Sequence, residues 1–423
     1  MKKNVLVFPC GSEIALEVHR SLIHSTHFNV IGANSVDDHG KFVFEQYIGG
    51  VPFATDINFI PTIKQIVKDY NIDFIYPAMD RVITILKNAE DEIGCKVIGS
   101  EAYTTDVCMS KRKTYESLNG IVRTPKVYDV DDHIDFPVFV KPDVGYGARG
   151  AVKVDNRESL NQYLLNSPDA VISELLTGEE YTIDCFTDRR GVVKFWAPRC
   201  RSRVSNGISV NTYPIERSDE FREFVERINA NIKFRGAWFI QVKRNKFGEL
   251  TLLEIASRFG GSSALFRAKG VNFTLLSLFD ALEYDVEIYE NTYGIEMDRA
   301  LETKFRLDVN YNEVYIDFDD CIIINGKYFN LDAIRFIYQC KNNGVRVVLL
   351  SRHSGNLQQR VANLGISLLF DEVIHITNQH LKSSYIKNPN SIFIDDSFAE
   401  RKDVATNCGI NVFSVDMIPV LMN

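Results

Sequence analysis

Three carboxylates crowd one short stretch, "EVYIDFDDCIIING", where the apolar run Val314–Ile316 meets Asp317, Asp319 and Asp320. Like charges at this spacing repel, so folding alone gives little reason to gather them. Asp317 and Asp319 are two residues apart and leave an extended backbone on the same side. A lone Asp-x-Asp is usually a solvated turn, but the residues that follow change its weight. A second apolar run, "VRVVLL", ends on Ser351; Lys382 lies in "HLKSSYI"; a third run, "SIFI", ends on Asp395 and Asp396. Strand ends of a parallel sheet share one edge, where ligands of open α/β folds bind. Four carboxylates, an ammonium and a hydroxyl at such an edge suit a divalent cation and a phosphate.

A different set lies in mid-chain. In "FVKPDVGYGARGAV" an apolar run delivers Lys141 to a loop containing Gly145, Gly147 and Gly150. Glycines let backbone N–H groups approach phosphate oxygens, and a lysine adds a point charge. Glu174, with Leu175 and Leu176 beside it, offers an acceptor against an apolar wall that suits an adenine, and Glu180 suits ribose hydroxyls. Gln241 and Glu254 fall on the two arms of one hairpin, where facing oxygens could hold Mg2+ against phosphates.

The elements that must position these groups follow from the pattern. Over residues 1–105, apolar runs of four to seven residues alternate with amphipathic stretches such as "FIPTIKQIVKDYN", which implies a parallel sheet with helices on both faces. Gly11 stands in the first turn without Gly-x-Gly-x-x-Gly, so a dinucleotide site is not expected there. Residues 106–300 read as α+β, with long hairpins in "YTIDCFTDRRGVVKFWA" and "FIQVKRNKFGELTLLEIA". The stretch "RSDEFREFVERINANIKF" is a charged amphipathic helix. Residues 301–423 return to strand–helix alternation, a second parallel α/β unit. His353 is expected to be a solvated loop residue, and Cys185 and Cys200 to pack in a sheet or core.

With 423 residues, 45% apolar and 25% charged, the chain is expected to form two or three domains with real cores. A net charge of −8 argues against nucleic acid as the main partner. The eight cysteines show no metal-type spacing and suggest reduced thiols in a cytoplasmic protein. The start "MKKNVLVFPCGSEIAL" reads as a first strand, not a signal peptide, and no apolar run reaches the roughly 20 residues of a membrane span.

The ordered set Lys111, "VKP…GYGARG", "ELLTGEEY", "IQVK" and "LEIASRFGGSSAL" resembles an ATP-grasp enzyme of the carbamoyl phosphate synthetase large-subunit type, across residues 1 to about 300. The resemblance implies a pre-ATP-grasp α/β domain at 1–105 and an ATP-grasp domain with antiparallel sheets at 106–300. It implies Lys111, Lys141, Gly147 and Gly150 on phosphate, Glu174, Leu175 and Leu176 at adenine, Glu180 on ribose, and Mg2+ (Mn2+ as an alternative) at Glu254 with Gln241. Arg201 or Arg203, together with Arg258, would face the transferring phosphate or a carboxylate substrate, because a guanidinium fork fits both. In one respect the sequence departs: where the family shows Glu-x-Asn-x-Arg, "EIASR" places Ala256 at the asparagine position. The implied chemistry is acyl phosphate formation from ATP and a carboxylate, then attack by an amine.

The C-terminal set resembles the haloacid dehalogenase-like phosphatases across residues 312–423, with a Rossmannoid domain at 301–423. The resemblance implies Asp317 as nucleophile, Asp319 as acid/base, Ser351 and Lys382 on the phosphoryl oxygens, and metal at Asp317, Asp319, Asp395 and Asp396. Cys321 stands where Thr or Val is usual and would only pack. Asp317 and Ser351 are 34 residues apart and Ser351 and Lys382 31 apart, which leaves no room for a cap domain. The expectation is a bifunctional ligase and phosphomonoesterase acting on small-molecule carboxylate, amine and phosphomonoester substrates, with no nucleic-acid or membrane partner and a homodimer left open. Two alternatives stand beside it: a small-molecule kinase with a phosphatase domain, and a nucleotide-sensing module with an impaired ligase site.

Overall fold

The computed structural model describes residues 2–422, apart from 146, 148, 206, 302–304 and 306. It divides into two compact units, Met1–Glu302 and Thr303–Asn423.

The first unit opens with a five-stranded parallel sheet, ordered Gln46–Ile48, Phe28–Ala33, Lys3–Phe8, Phe74–Pro77, Lys96–Val97. Val5, Leu6 and Val7 are fully buried in its centre, as a strand covered on both faces requires. Ser12 caps the first helix, Glu13–Leu22, accepting from the Ala15 amide. The short edge strand Gln46–Ile48 was not foreseen, because three residues carry no usable periodicity.

Two antiparallel sheets follow. One orders Val127–Tyr128, Val171–Glu174, Val138–Lys141 and Val152–Val154. The other orders Val193–Cys200, Glu180–Thr187, Gly236–Arg244 and Leu250–Ala256 and contains both hairpins expected from the sequence. The helix Asp219–Asn231 buries Phe221, Phe224, Val225 and Ile228 in the core that includes Trp238 and Ile240. Its charged residues alternate with these at helical spacing, so one face is left to water. Cys185 is buried in this sheet and Cys200 is half-buried at a strand end.

The second unit holds a five-stranded parallel sheet, ordered Glu372–His375, Arg346–Ser351, Glu313–Ile316, Ser391–Ile394, Asn411–Phe413. Glu313–Ile316 is central, so Asp317 emerges between the ends of its two neighbours, which lead into Ser351 and Asp395. The last strand and the helix Phe398–Cys408 before it complete the sheet beyond what the sequence reading had named. Among the described residues no helix is long and apolar enough to cross a membrane.

Candidate active sites in the two units

In the first unit, strand alternation sorts the polar groups. Thr182 lies opposite Gln241 on one side and Arg199 on the other, and Gln241 lies opposite Glu254. Glu180, Thr182 and Asp184 therefore share one face with Arg199, Gln241 and Glu254. Arg201 reaches back over that face: its Nε stands 2.9 Å from Glu180 Oε1, and its Nη2 donates to the Gly207 carbonyl at 2.8 Å. With its amide turned to satisfy both neighbours, Gln241 donates to Glu254 Oε1 at 2.6 Å and accepts from Arg201 Nη1. Burial pulls the Arg201 pKa down, against the opposing pull of Glu180.

Lys141 ends its strand buried, with Nζ donating to Tyr115 Oη at 2.8 Å and to the Leu253 carbonyl at 3.3 Å. Burial, with the Lys111 cation adding to it, brings the Lys141 ammonium down to about 8 against the attraction of Glu254 and Glu180. Lys111 opens the helix Lys111–Ser117, and its Nζ donates to the Asp143 carbonyl at 3.0 Å. The Asp143 side chain ties this helix start to the glycine loop by accepting from Ser110 Oγ (2.7 Å) and the Arg112 amide (2.8 Å). Gly147 and Gly150 both have left-handed backbones, which a side chain at Cβ would disfavour. Tyr146 and Ala148 of the same motif lie outside the described residues.

Other expected ligands are placed differently. Glu174 Oε1 accepts from the Lys126 amide at 2.9 Å, so that carboxylate fastens two strands. Leu176 is buried and Leu175 half-buried beside it. Arg203 lies on a separate small sheet, exposed, and pairs with Asp298 at 2.7 Å, away from the Gln241–Glu254 row. Arg258 pairs with Asp80 at 2.7 Å and lies over the Phe239 ring. Ala256 is buried opposite Phe239 and offers no side-chain oxygen. The sequence reading missed the buried pair Arg199–Asp184 at 2.6 Å. A Cβ on Gly260 would come within 3.1 Å of Arg199 Nη2, so this glycine permits a close backbone approach.

In the second unit the strand ends bring Asp317, Ser351, Lys382 and Asp395 together. Lys382 Nζ stands 2.9 Å from Asp317 Oδ1 and 2.6 Å from Asp395 Oδ2, with all three side chains buried. Burial raises the Asp317 pKa from its ordinary value, against the pull of Lys382. Burial, with the Asp317 charge adding to it, lifts Asp395 to about 6 against the same lysine. Asp395 spends its other oxygen on the Ser397 amide (2.8 Å), whereas Asp396 is exposed. Metal-capable atoms of Asp317, Asp396 and Cys321 lie within 4.8 Å of one another, while Asp395 shares Lys382 with Asp317. Cys321 is buried and its Sγ accepts from the Asp396 amide at 3.1 Å. Asp320 is a turn residue: its φ is +53°, and its carboxylate accepts from the Asn325 amide at 2.7 Å. His353 is not a solvated loop residue as expected. Its Nδ1 is 2.8 Å from Asp319 Oδ2 and its side chain is mostly buried.

A family model described as ATP-grasp in the biosynthetic pathway with Ter operon matches residues 166–303. Solved structures share the architecture. The biotin carboxylase domain of the Hydrogenobacter thermophilus 2-oxoglutarate carboxylase aligns with a TM-score of 0.58 at 18% identity, covering 69% of this chain and 72% of that one. An L-amino acid ligase from Bacillus licheniformis aligns at 0.55 and 18%, covering 69% and 75%. An N5-carboxyaminoimidazole synthetase from Staphylococcus aureus aligns at 0.57 and 15%, covering 69% and 81%. The match to the ATP-grasp model thus covers residues 166–303, and the solved structures are similar to this chain in fold. The chain's mixture of a parallel sheet with antiparallel ones agrees with that fold.

Proposed function

We propose that this protein is a bifunctional enzyme of the ATP-grasp type: an ATP-dependent carboxylate–amine ligase with a Mg2+-dependent phosphomonoesterase in residues 303–423. One observation supports both halves. Among the described residues, six side-chain atoms are buried with neither a hydrogen bond nor an ion-pair contact. Four of them, on Thr182, Asp184, Arg199 and Arg258, lie on or beside the Gln241–Glu254 face, and one, Ser351 Oγ, lies beside Lys382. A buried polar atom without a partner costs about 1–3 kcal/mol, so such atoms cluster where a ligand completes them.

In the ligase reading, Lys141 and Lys111 hold the phosphates of ATP, and Glu254, oriented by the Gln241 amide, would hold Mg2+, which would offset charge on the transferring phosphoryl group. The γ-phosphoryl group passes to a substrate carboxylate and ADP departs. An amine then attacks the acyl carbon, the carbon–oxygen bond to phosphate breaks, and the amide forms with loss of a proton. Arg201 and Arg258 face the anionic groups. The solved biotin carboxylase domain was crystallised as a dimer with MgADP and bicarbonate, and the synthetase with ADP, which supports ATP and Mg2+ as cofactors and leaves a homodimer in view.

In the phosphatase reading, which rests on the strand-edge geometry and on the sequence resemblance, an Asp317 oxygen attacks phosphorus as the ester P–O bond breaks. The leaving oxygen keeps the electron pair and takes a proton from Asp319. Water then attacks the aspartyl phosphate, Asp319 takes the water proton, and phosphate leaves Asp317. Ser351 and Lys382 bear on the phosphoryl oxygens. The carboxylates of Asp317 and Asp396 fit Mg2+, which would offset charge as Asp317 approaches the phosphate.

An ADP-release screen pairing amino acids and sugar acids with amines, followed by mass analysis of products, tests the ligase. ADP with an amide supports it; ADP with a stable phosphorylated product and no amide would make the first unit a kinase instead. Nucleotide binding without turnover on any pair would make it a sensor. Asp317→Asn is expected to abolish phosphomonoester hydrolysis and to leave ADP release within about 2-fold, since the two chemistries use separate residues.

A further inference from the structure

Asp319 is held by a group that the reaction scheme above does not use. His353 follows Ser351 on the loop leaving the strand Arg346–Ser351, and its Nδ1 lies 2.8 Å from Asp319 Oδ2. In the tautomer with its proton on Nδ1, the ring donates to Asp319 Oδ2. One further contact holds the ring and another holds the backbone of this residue. Its edge meets Phe318 at a centroid distance of 5.2 Å and an angle of 79°. Its own backbone carbonyl lies 2.8 Å from His375 Nε2, on the neighbouring strand Glu372–His375, where His375 pairs with Ser351. The His353 side chain is 16% exposed and that of Asp319 is 46% exposed. The histidine is thus the anchored partner and the aspartate the one that faces outward.

We propose that His353 is a positioning residue for Asp319, an inference that rests on the phosphomonoesterase reading of the second unit. By holding Oδ2, it leaves Oδ1 as the oxygen that carries the proton and fixes the direction in which that oxygen points. When Asp317 attacks phosphorus and the ester P–O bond breaks, the electron pair remains on the leaving oxygen and Asp319 Oδ1 supplies the proton. A carboxyl free to rotate would present that proton in the right place only part of the time, and proton transfer is sensitive to such misplacement. The demand depends on the leaving group. An alkoxide, strongly basic, needs the proton as it departs; p-nitrophenolate does not.

The test compares kcat/KM for p-nitrophenyl phosphate and for a primary alkyl phosphate, glycerol 3-phosphate, in the full Mg2+-loaded chain. This parameter reports the steps up to departure of the first product, so later hydrolysis of the aspartyl phosphate does not blur it. His353→Ala is expected to lower kcat/KM for the alkyl ester about 10- to 100-fold while changing that for the nitrophenyl ester by less than about 3-fold. His353→Asn, whose amide N–H can stand near the imidazole Nδ1–H, is expected to recover most of the loss. The ratio between the two esters is measured on one sample, so it does not depend on the fraction of variant that folds. Equal losses for both esters, or no loss for either, would overturn the positioning role while leaving the phosphatase reading intact. Absence of wild-type turnover on both esters, or full activity in Asp317→Asn, would overturn the phosphatase reading and this inference with it.

Discussion

Lys141 illustrates how a single side chain can be costly to the fold and useful to a ligand. Its ammonium is buried with Tyr115 and the Leu253 carbonyl as its hydrogen-bond partners, and its pKa falls to about 8. The unfolded chain would hold that proton up to about pH 10.4, so between these values the unfolded state binds more protons. Stability must then rise as pH climbs from about 8 to about 10, with the full penalty present below 8. Lys141→Met removes it. Chemical unfolding at pH 7 is expected to find the variant as stable as the parent or more so, by up to about 3 kcal/mol. At pH 10.5 the difference should shrink toward zero. Nucleotide affinity should move the opposite way, falling at least about 10-fold in calorimetry, because the cation proposed to hold phosphate has been lost. A variant that is markedly less stable at pH 7 and still binds ATP would make Lys141 a structural residue. At the same scale, the three aspartates that look alike in sequence separate by environment. Asp317 is buried beside Lys382, Asp319 is held by His353, and Asp320 only closes a turn.

At the scale of elements, the groups proposed to hold phosphate in the first unit depend on a junction. Asp143 caps the helix Lys111–Ser117 through Ser110 and the Arg112 amide, while its carbonyl accepts from Lys111. One residue thereby sets both the helix start and the first turn of the glycine loop. Asp143→Ala is expected to cost about 1 kcal/mol of stability, the usual worth of a cap, measurable by thermal or urea unfolding. ATP affinity should fall by more than stability does, since Lys111 and the glycine loop lose a common anchor. Affinity unchanged within error would show that the junction does not position the site. Much of this level was legible in the sequence. The alternation of apolar runs with amphipathic stretches placed the strands Lys3–Phe8, Phe28–Ala33 and Phe74–Pro77, and both long hairpins, because period and turn residues are local properties. The register Gln241↔Glu254 followed from the hairpin. What was not legible depends on which neighbour a side chain meets across the fold. Nothing local separates Asp395 from Asp396, yet one is sealed against Lys382 and the Ser397 amide and the other is exposed. Arg201 and Arg203 are two residues apart, but a register shift between Arg203 and Val204 and a separate small sheet carry Arg203 to Asp298. His353 was read as solvated because the residue that holds it, Asp319, lies 34 positions away.

At the scale of the whole molecule, each unit has cores of its own. In the first, Trp238, Ile240 and Leu252 lie in one core and Leu6, Phe8 and Phe59 in another. In the second, Val314, Ile316, Phe336 and Leu349 form a core from residues 314–421 alone. Since burial of apolar surface is the main source of stability, units with separate cores can unfold as separate cooperative steps. Calorimetry on the full chain is therefore expected to resolve two transitions. MgATP at about 100 times its Kd should raise one of them, by the equivalent of about 2.7 kcal/mol, and leave the other in place. Phosphate with Mg2+, a product of the proposed esterase, should raise the second in wild-type protein and fail to do so in a variant lacking two carboxylates proposed to hold the cation, Asp317→Asn with Asp396→Asn. A single transition that both ligands raise together would mean that the two units fold as one cooperative body. Their activities would then be linked through stability, and a substitution that weakens either core would lower both.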